Sequence, residues 1–397
     1  MLDQKTIDII KSTVPVLEEH GEKITTVFYK RMFEDHPELL NIFNHANQKQ
    51  GRQQRALAST VYAAAQYIDN LGAILPAVRV IAHKHRSLGI KPDQYPIVGK
   101  YLLIAIKEVL GVTASDDVIE AWAKAYGMIA DAFIGVEAEM YQEAGWEGFK
   151  NFIVARKEKE SEHITSFYLK PEDGSKPAPF VAGQYISIML EMENETFTHI
   201  RQYSLSAAPG RDHYRITVKK ENSNSNPDGV VSNYLHDKIE EGMILKLSAP
   251  AGDFVIDLKG SNPVVLISGG VGLTPMVSML QAVVEAQPER KVSFIHAASN
   301  GQLHALADEV RAYAAKGNVS NYVFYDSPNE DDREAGRFDE EGFVTKEWLE
   351  EHVHLTDSDV YFCGPVPFMK SIHSSLRELG VPHANIHFEY FGPMEQF

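Results

Sequence analysis

Between Ser115 and Glu143 apolar residues recur three and four positions apart, at Val118, Trp122, Tyr126, Ile129, Phe133, Val136 and Met140. That is the period of one buried helix face, and Ser115 stands where a side-chain oxygen can cap the first turn. Similar spacing runs through most of residues 1–148, where Pro37, Pro76, Pro92 and Pro96 punctuate it into several helices joined by short breaks. From about Trp146 the period changes. Short alternating runs at 152–155, 164–169, 185–190, 214–219 and 244–248 are bounded by turn residues, which predicts a small antiparallel barrel or sandwich. From about Asn262 a third pattern begins. Buried runs at 264–268, 292–297, 321–325 and 359–363 alternate with helical stretches at 275–286, 303–315, 344–351 and 367–379, a βαβ order that predicts a doubly wound sheet. The expected organisation is an all-α domain over 1–148, an antiparallel β-barrel over 149–260 and an α/β doubly wound domain over 261–397. Residues 221–228 and 329–339 are expected to be loose segments.

Composition sets the class. With 44% apolar and 10% aromatic residues in 397, each domain can bury a core, which excludes a largely disordered chain. The formal charge of −17 is unevenly spread. Lys plus Arg against Asp plus Glu is 15 against 19 in 1–148, 14 against 16 in 149–260, and 9 against 20 in 261–397. A nucleic-acid or anionic-membrane surface is therefore not expected. The single cysteine, Cys363, excludes an internal disulfide and any cysteine-built zinc or iron–sulfur site. It fits a reducing compartment, and the scattered charges near Met1 lack the apolar core of a signal peptide, so a mature start there and a cytoplasmic location are expected. Residues 260–284 carry no formal charge and are long enough to cross a bilayer, but the Gly-rich turn in their middle would break a spanning helix.

Four short motifs carry chemistry in the last two-thirds. Arg201-Gln202-Tyr203-Ser204 is expected at the start of a strand, where an Arg fork can hold a pyrophosphate, a Tyr can lie along a flavin and a Ser can bond a ring nitrogen. An ordinary exposed strand end is the competing reading of that string. Gly229 to Leu235 offers a helix N-terminus to phosphate. Gly269-Gly270-Val271-Gly272-Leu273-Thr274-Pro275 joins a buried strand to a helix, with glycines that permit close backbone approach to a pyrophosphate. Cys363-Gly364-Pro365 ends a strand at the carboxyl edge, where open α/β sheets bind ligands.

The order and spacing of these motifs resemble the ferredoxin–NADP reductase superfamily across residues 150–397. The resemblance implies FAD on the barrel, through Tyr185, Arg201, Gln202, Tyr203 and Ser204, and NAD(P)H on the sheet, through Gly269, Gly270, Val271, Gly272, Leu273 and Thr274 with Cys363, Gly364 and Pro365. It also implies that Tyr390, Phe391, Gly392 and Pro393 stand near the isoalloxazine, against the plainer reading of an apolar tail packed on the core. The turn after the second strand, Ser299-Asn300, has neither an Arg for a 2′-phosphate nor an acid for a ribose hydroxyl beside it, so NADH and NADPH both stay open. The acidic charge of 261–397 predicts weak, salt-sensitive dinucleotide affinity.

In the helical third, His83 and His85 point about 200° apart on a helix, so only one can face a pocket. Glu137 falls inside the apolar stripe of the last helix, and a buried carboxylate needs a hydrogen-bond partner. A Glu at the stripe edge reaching solvent is the alternative. The stretch 79–96, with Tyr29, Phe43 and residues 53–57, resembles the bacterial flavohemoglobin globin domain. That resemblance implies heme b with His85 as iron ligand, Phe43 against the porphyrin, and Tyr29, Gln53 and Leu57 on the distal side. Glu137 and Tyr95 are then expected to tune His85 through its second nitrogen, and Lys84 to lie near the flavin or a heme propionate unless it is a solvated surface lysine.

Together the modules imply a nitric oxide dioxygenase that converts NO and O₂ to nitrate with electrons from NAD(P)H through FAD. The alternatives are an NAD(P)H-driven reductase of peroxides or ferric iron, and an oxygen or NO sensor. The small molecules NO and O₂ are the expected partners, with no nucleic acid, no obligatory protein partner and no integral membrane association.

Overall fold

The structure, a computed structural model, describes residues 2–193, 195–221 and 229–391. Gly392 and Pro393, and residues 222–228 of the first loose segment, lie outside the described residues. The chain divides into two compact units.

The first is built on seven α-helices: α1 Gln4–Ser12, α2 Val14–Asp35, α3 His45–Lys49, α4 Arg52–Gln66, α5 Leu75–Leu88, α6 Tyr95–Leu110 and α7 Asp116–Glu143. Asp3 and Ser115 cap α1 and α7 through the amides of Thr6 and Val118. The prolines open elements rather than interrupt them. Pro76 and Pro96 lie in the first turns of α5 and α6, while Pro37 and Pro92 begin short 3-10 turns, positions where the missing N–H costs nothing. α5 stops at Gly89, whose φ of 76° is the left-handed conformation that favours glycine. The buried residues of this unit form two clusters, one around Phe28, Met32, Tyr101 and Trp122, the other around Val78, Tyr95, Ala130 and Phe133.

The antiparallel sheet has the order β4-β3-β6-β1-β2-β5, from β1 Phe149–Lys159, β2 Ile164–Pro171, β3 Tyr185–Leu190, β4 His199–Ser204, β5 Tyr214–Lys219 and β6 Ile244–Ser248. A bulge between Val154 and Arg156 interrupts the β1–β2 register. Arg201 is the third residue of β4, so its motif closes a strand rather than opening one. The two residues before it, His199 and Ile200, are buried and extend the strand backwards. Helix α8, Val230–Lys238, stands between β5 and β6.

The second sheet is parallel in the order β10-β9-β8-β7-β11-β12, from β7 Val264–Gly269, β8 Val292–Ala298, β9 Val319–Tyr325, β10 Glu340–Glu341, β11 Asp359–Cys363 and β12 Ile386–Glu389. The helices are α9 Leu273–Ala286, α10 Ala307–Ala314, α11 Glu330–Glu334, α12 Lys346–His352 and α13 Val366–Glu378. The winding reverses between β7 and β11, which opens a crevice at their carboxyl ends. The segment 329–339, expected to be loose, instead holds α11, fixed by a capping box between Asn329 and Asp332. Every residue of α9 from Leu273 to Val284 is buried, because the β-barrel covers the face the sheet leaves free. Ser278 Oγ donates to Ala207 O at 2.8 Å, and Gln281 Oε1 accepts from Ala208 N at 2.8 Å. That double cover explains the uncharged run at 260–284. Among the described residues, no helix is long and apolar enough to cross a membrane.

Candidate functional site

His85 sits in the last turn of α5, opposite Glu137 of α7. Its Nδ1 lies 2.7 Å from Glu137 Oε1 and 3.1 Å from the Tyr95 hydroxyl, and that hydroxyl donates to the same Oε1 at 2.6 Å. Glu137 is 2% exposed, a burial that two hydrogen bonds compensate. A carboxylate only accepts, so Nδ1 carries the ring proton and Nε2 presents a lone pair. Nε2 has no hydrogen-bond partner among the described residues. Burial, reinforced by Glu137, pushes the Tyr95 phenol up and keeps it a donor.

Three further residues, to which the sequence pattern gives no functional role, hold this triad. Tyr126 OH donates to Tyr95 O at 2.7 Å, across Gly99, where a Cβ would stand 2.5 Å from the Tyr126 ring. Tyr141 OH donates to Ile90 O at 2.8 Å and ties the chain after α5 to α7. The stripe spacing named Tyr126 as core but gave no sign of the hydrogen bond. His83 and Lys84 are half-buried on α5, with His83 turned away from His85 by the helix period.

Tyr29 of α2 is 7% exposed, with its ring 5.6 Å from Phe43 and 5.7 Å from Phe33. Burial pushes its phenol up, so it remains a neutral donor, and its hydroxyl takes no partner among the described residues. Gln53 of α4 has its Oε1 buried without a hydrogen bond among the described residues. Phe43 and Leu57 are half-buried against the first core cluster. An unpaired imidazole nitrogen, with unpaired polar groups on Tyr29 and Gln53 beside the apolar Phe43 and Leu57, fits an apolar, iron-bearing group.

On the barrel, Arg201 and Tyr203 share one face of β4 by the strand's period of two. Ser204 is 6% exposed and ends the strand, and the next amide, Leu205 N, donates to Gln184 O at 2.9 Å, which brings Ser204 beside Tyr185. Tyr185 is buried and pairs through both backbone groups with Ala251. Gly229 precedes the first turn of α8, where Ser232 Oγ donates to Gly229 O at 2.9 Å and accepts from Glu221 N at 3.2 Å.

The three glycines from the end of β7 onward have different jobs. A Cβ on Gly272 would lie 2.2 Å from Cys363 O, and one on Gly269 would press on the Phe368 ring at 3.1 Å. Gly272 lets the turn close on the end of β11, and Gly269 lets it close on α13. Gly270 has φ 53° and open space around it, so it alone of the three is free of close packing and needs glycine for its left-handed backbone. A 3-10 turn over Gly270–Gly272 starts the helix at Leu273, two residues ahead of the expected start. Val271 O accepts from Thr274 Oγ1 at 3.2 Å. Cys363 is fully buried beside this turn, and burial holds its thiol well above the usual range. Gly364 packs on Phe368, Pro365 precedes α13, Tyr390 lies against the sheet's core and Phe391 is half exposed.

Family profiles match three segments: Globin over residues 26–133, Oxidoreductase FAD-binding domain over 151–256 and Oxidoreductase NAD-binding domain over 266–374. The chain is 58% identical to a flavohemoprotein of Bacillus thuringiensis subsp. konkukian and 56% identical to one of Bacillus subtilis, covering 99% of this chain in each case and 99% and 98% of theirs. A flavohemoglobin of Malassezia yamatoensis, solved with FAD and heme, superposes with a TM-score of 0.87 at 28% identity, covering 98% of this chain and 100% of its own. The FAD/NAD-binding domain of a nitric oxide dioxygenase from Vibrio cholerae matches 62% of this chain and 99% of its own, with a TM-score of 0.56 at 38% identity.

Proposed function

The chain belongs to the flavohemoprotein family, and from that premise we propose that it is a nitric oxide dioxygenase, an oxidoreductase carrying heme and FAD and fed by NAD(P)H. The heme, when bound, supplies the centre where O₂ and NO react, and the flavin splits the two electrons of a nicotinamide hydride into the single electrons a heme takes. The overall reaction is 2 NO + 2 O₂ + NAD(P)H giving two nitrate, NAD(P)⁺ and one proton.

The observation that carries the reading is the buried Glu137 hydrogen-bonded to His85 Nδ1. His85 Nε2 is the iron ligand in this account. Glu137 gives the imidazole imidazolate character, a push that reactive oxygen chemistry needs and plain oxygen storage does not. Tyr95 steadies the carboxylate. On the opposite side the Tyr29 hydroxyl would donate to oxygen, Gln53 would offer a second donor and Leu57 would exclude water from the reacting pair, while Phe43 packs on the porphyrin. Lys84 reaches a propionate or the flavin. Arg201, Gln202, Tyr203, Ser204 and Tyr185 hold FAD, the turn from Gly269 to Thr274 holds the dinucleotide, Cys363 to Pro365 line the nicotinamide side, and Tyr390 and Phe391 stand near the isoalloxazine. The domain borders lie near residues 148 and 260, and the protein works in the cytoplasm on freely diffusing NO and O₂. Stopped-flow mixing of the reduced full chain with O₂ and NO tests this: rapid NO loss with nitrate as product is expected, and slow NO loss overturns it.

A further inference from the structure

The turn after β8 carries neither an acid nor an arginine, yet the fold brings one beside it from another strand. β8 and β9 pair in parallel up to Ala298 and Tyr325, and the ladder continues past both strand ends. Asp326 N donates to Ala298 O at 3.2 Å and Ser327 N donates to Ser299 O at 2.9 Å. These bonds fix the exposed Asp326 beside Ser299, whose Oγ lies 3.5 Å from Asp326 Oδ2. Ser327 Oγ donates to Asp326 Oδ1 at 2.7 Å and orients the carboxylate. In an open α/β sheet the end of the strand after the Gly-rich turn is where the adenosine ribose is read. Here the reading group comes from the neighbouring strand, 27 residues further along the chain.

The nearby cations are committed elsewhere. A polar cavity of about 520 Å³ borders the same loop at Gly301 and His304 and is lined by four arginines. Arg156 pairs with Glu158, Arg215 with Glu309 at 2.7 Å, Arg311 with Asp308, and Arg337 with Asp332 at 3.1 Å. Asp332 is fully buried and also accepts from Gly301 N at 3.2 Å. Drawing Arg337 away to a phosphate would strip a buried carboxylate of its countercharge, which is costly.

We propose that Asp326 sets the dinucleotide selectivity of this protein, accepting the 2′-hydroxyl of the NADH adenosine ribose and repelling the 2′-phosphate of NADPH. The proposal rests on the reading of residues 261–397 as a nicotinamide dinucleotide site. A phosphate of nearly two negative charges about 5 Å from an exposed carboxylate loses on the order of tenfold in affinity at low salt, and salt screens that penalty.

The test is calorimetric titration of the full-length holoprotein with ADP-ribose and with 2′-phospho-ADP-ribose, which bind without redox turnover and so without any dependence on NO chemistry. Wild type is expected to prefer ADP-ribose by about tenfold or more at low salt, with the ratio falling toward one at high salt. Asp326→Asn is expected to bring the low-salt ratio within about threefold, mainly by tightening 2′-phospho-ADP-ribose, and the KM values for NADPH and NADH should converge in parallel. Equal affinities in wild type, or a ratio untouched by Asp326→Asn in a protein with an unchanged melting curve, overturn the proposal. The salt series on wild type needs no variant to fold. If neither ligand binds, the dinucleotide-site reading itself fails, a result distinct from lost selectivity.

Discussion

Replacing Glu137 with Gln keeps the side chain's shape and removes its charge at a position 2% exposed. Glu137 Oε1 accepts from His85 Nδ1 at 2.7 Å and from Tyr95 OH at 2.6 Å. A hydrogen bond to a charged partner contributes about 1.5–3 kcal/mol against about 0.5–1.5 for a neutral one. The variant therefore withdraws about 1–1.5 kcal/mol from the more electron-poor, ferric state that the carboxylate favours. A factor of ten, about 1.4 kcal/mol, corresponds to about 59 mV for one electron, so the heme midpoint potential should rise by roughly 40–60 mV. Tyr95→Phe should move it the other way by less, because the same carboxylate oxygen then serves His85 alone. Spectroelectrochemical titration of the two variants and wild type measures both shifts. A Glu137→Gln potential within about 10 mV of wild type, or a downward shift, refutes the coupling through Nδ1.

Burial lowers His304 from 6.5 to about 4, and burial likewise holds its neighbour His296, whose ring is 4.5 Å away, well below 6.5. The unfolded chain takes up these protons first, so their contribution is complete above pH 6.5 and falls as pH drops toward 4. His304 alone accounts for about 3 kcal/mol of that fall, and His304→Gln should flatten the pH dependence of denaturant unfolding; an unchanged slope contradicts the assignment. Gly272→Ala should cost about 1–3 kcal/mol in thermal unfolding, because its Cβ meets Cys363 O at 2.2 Å. Gly270→Ala, in open space at φ 53°, should cost only about 1 kcal/mol while slowing flavin reduction by NAD(P)H, and equal melting losses for the two contradict their division of labour. Tyr29→Phe removes the donor to oxygen and should speed O₂ release roughly tenfold, a loss of about 1.4 kcal/mol; an unchanged off-rate assigns the role elsewhere.

Long-range periodicity made the class of each segment legible. The α7 stripe, the β3, β5 and β6 strands and the βαβ alternation all follow from which positions must be buried. Glu137 was readable because a carboxylate inside an apolar stripe demands a partner. Contacts between elements distant in sequence were not readable. Tyr126 reaching Tyr95 O across Gly99, and Asp326 beside Ser299, depend on helix packing and strand order, which local pattern does not encode. The acidic segment around α11 misled because two of its polar residues, Asn329 and Asp332, close a capping box and Asp332 is buried against Arg337, while its other acids face solvent. β12 was missed because only four residues, two of them polar, pair with β11.

The central claim is that this chain spends each electron on one NO. The decisive measurement is nitrate formed per NAD(P)H oxidised, under excess O₂ and limiting NO, with the full-length holoprotein. Two nitrate are expected for each NAD(P)H, with no accumulation of peroxide. Nitrate well below that ratio, with NAD(P)H consumed at the same rate when NO is withheld, contradicts it and identifies an oxidase or a general reductase instead.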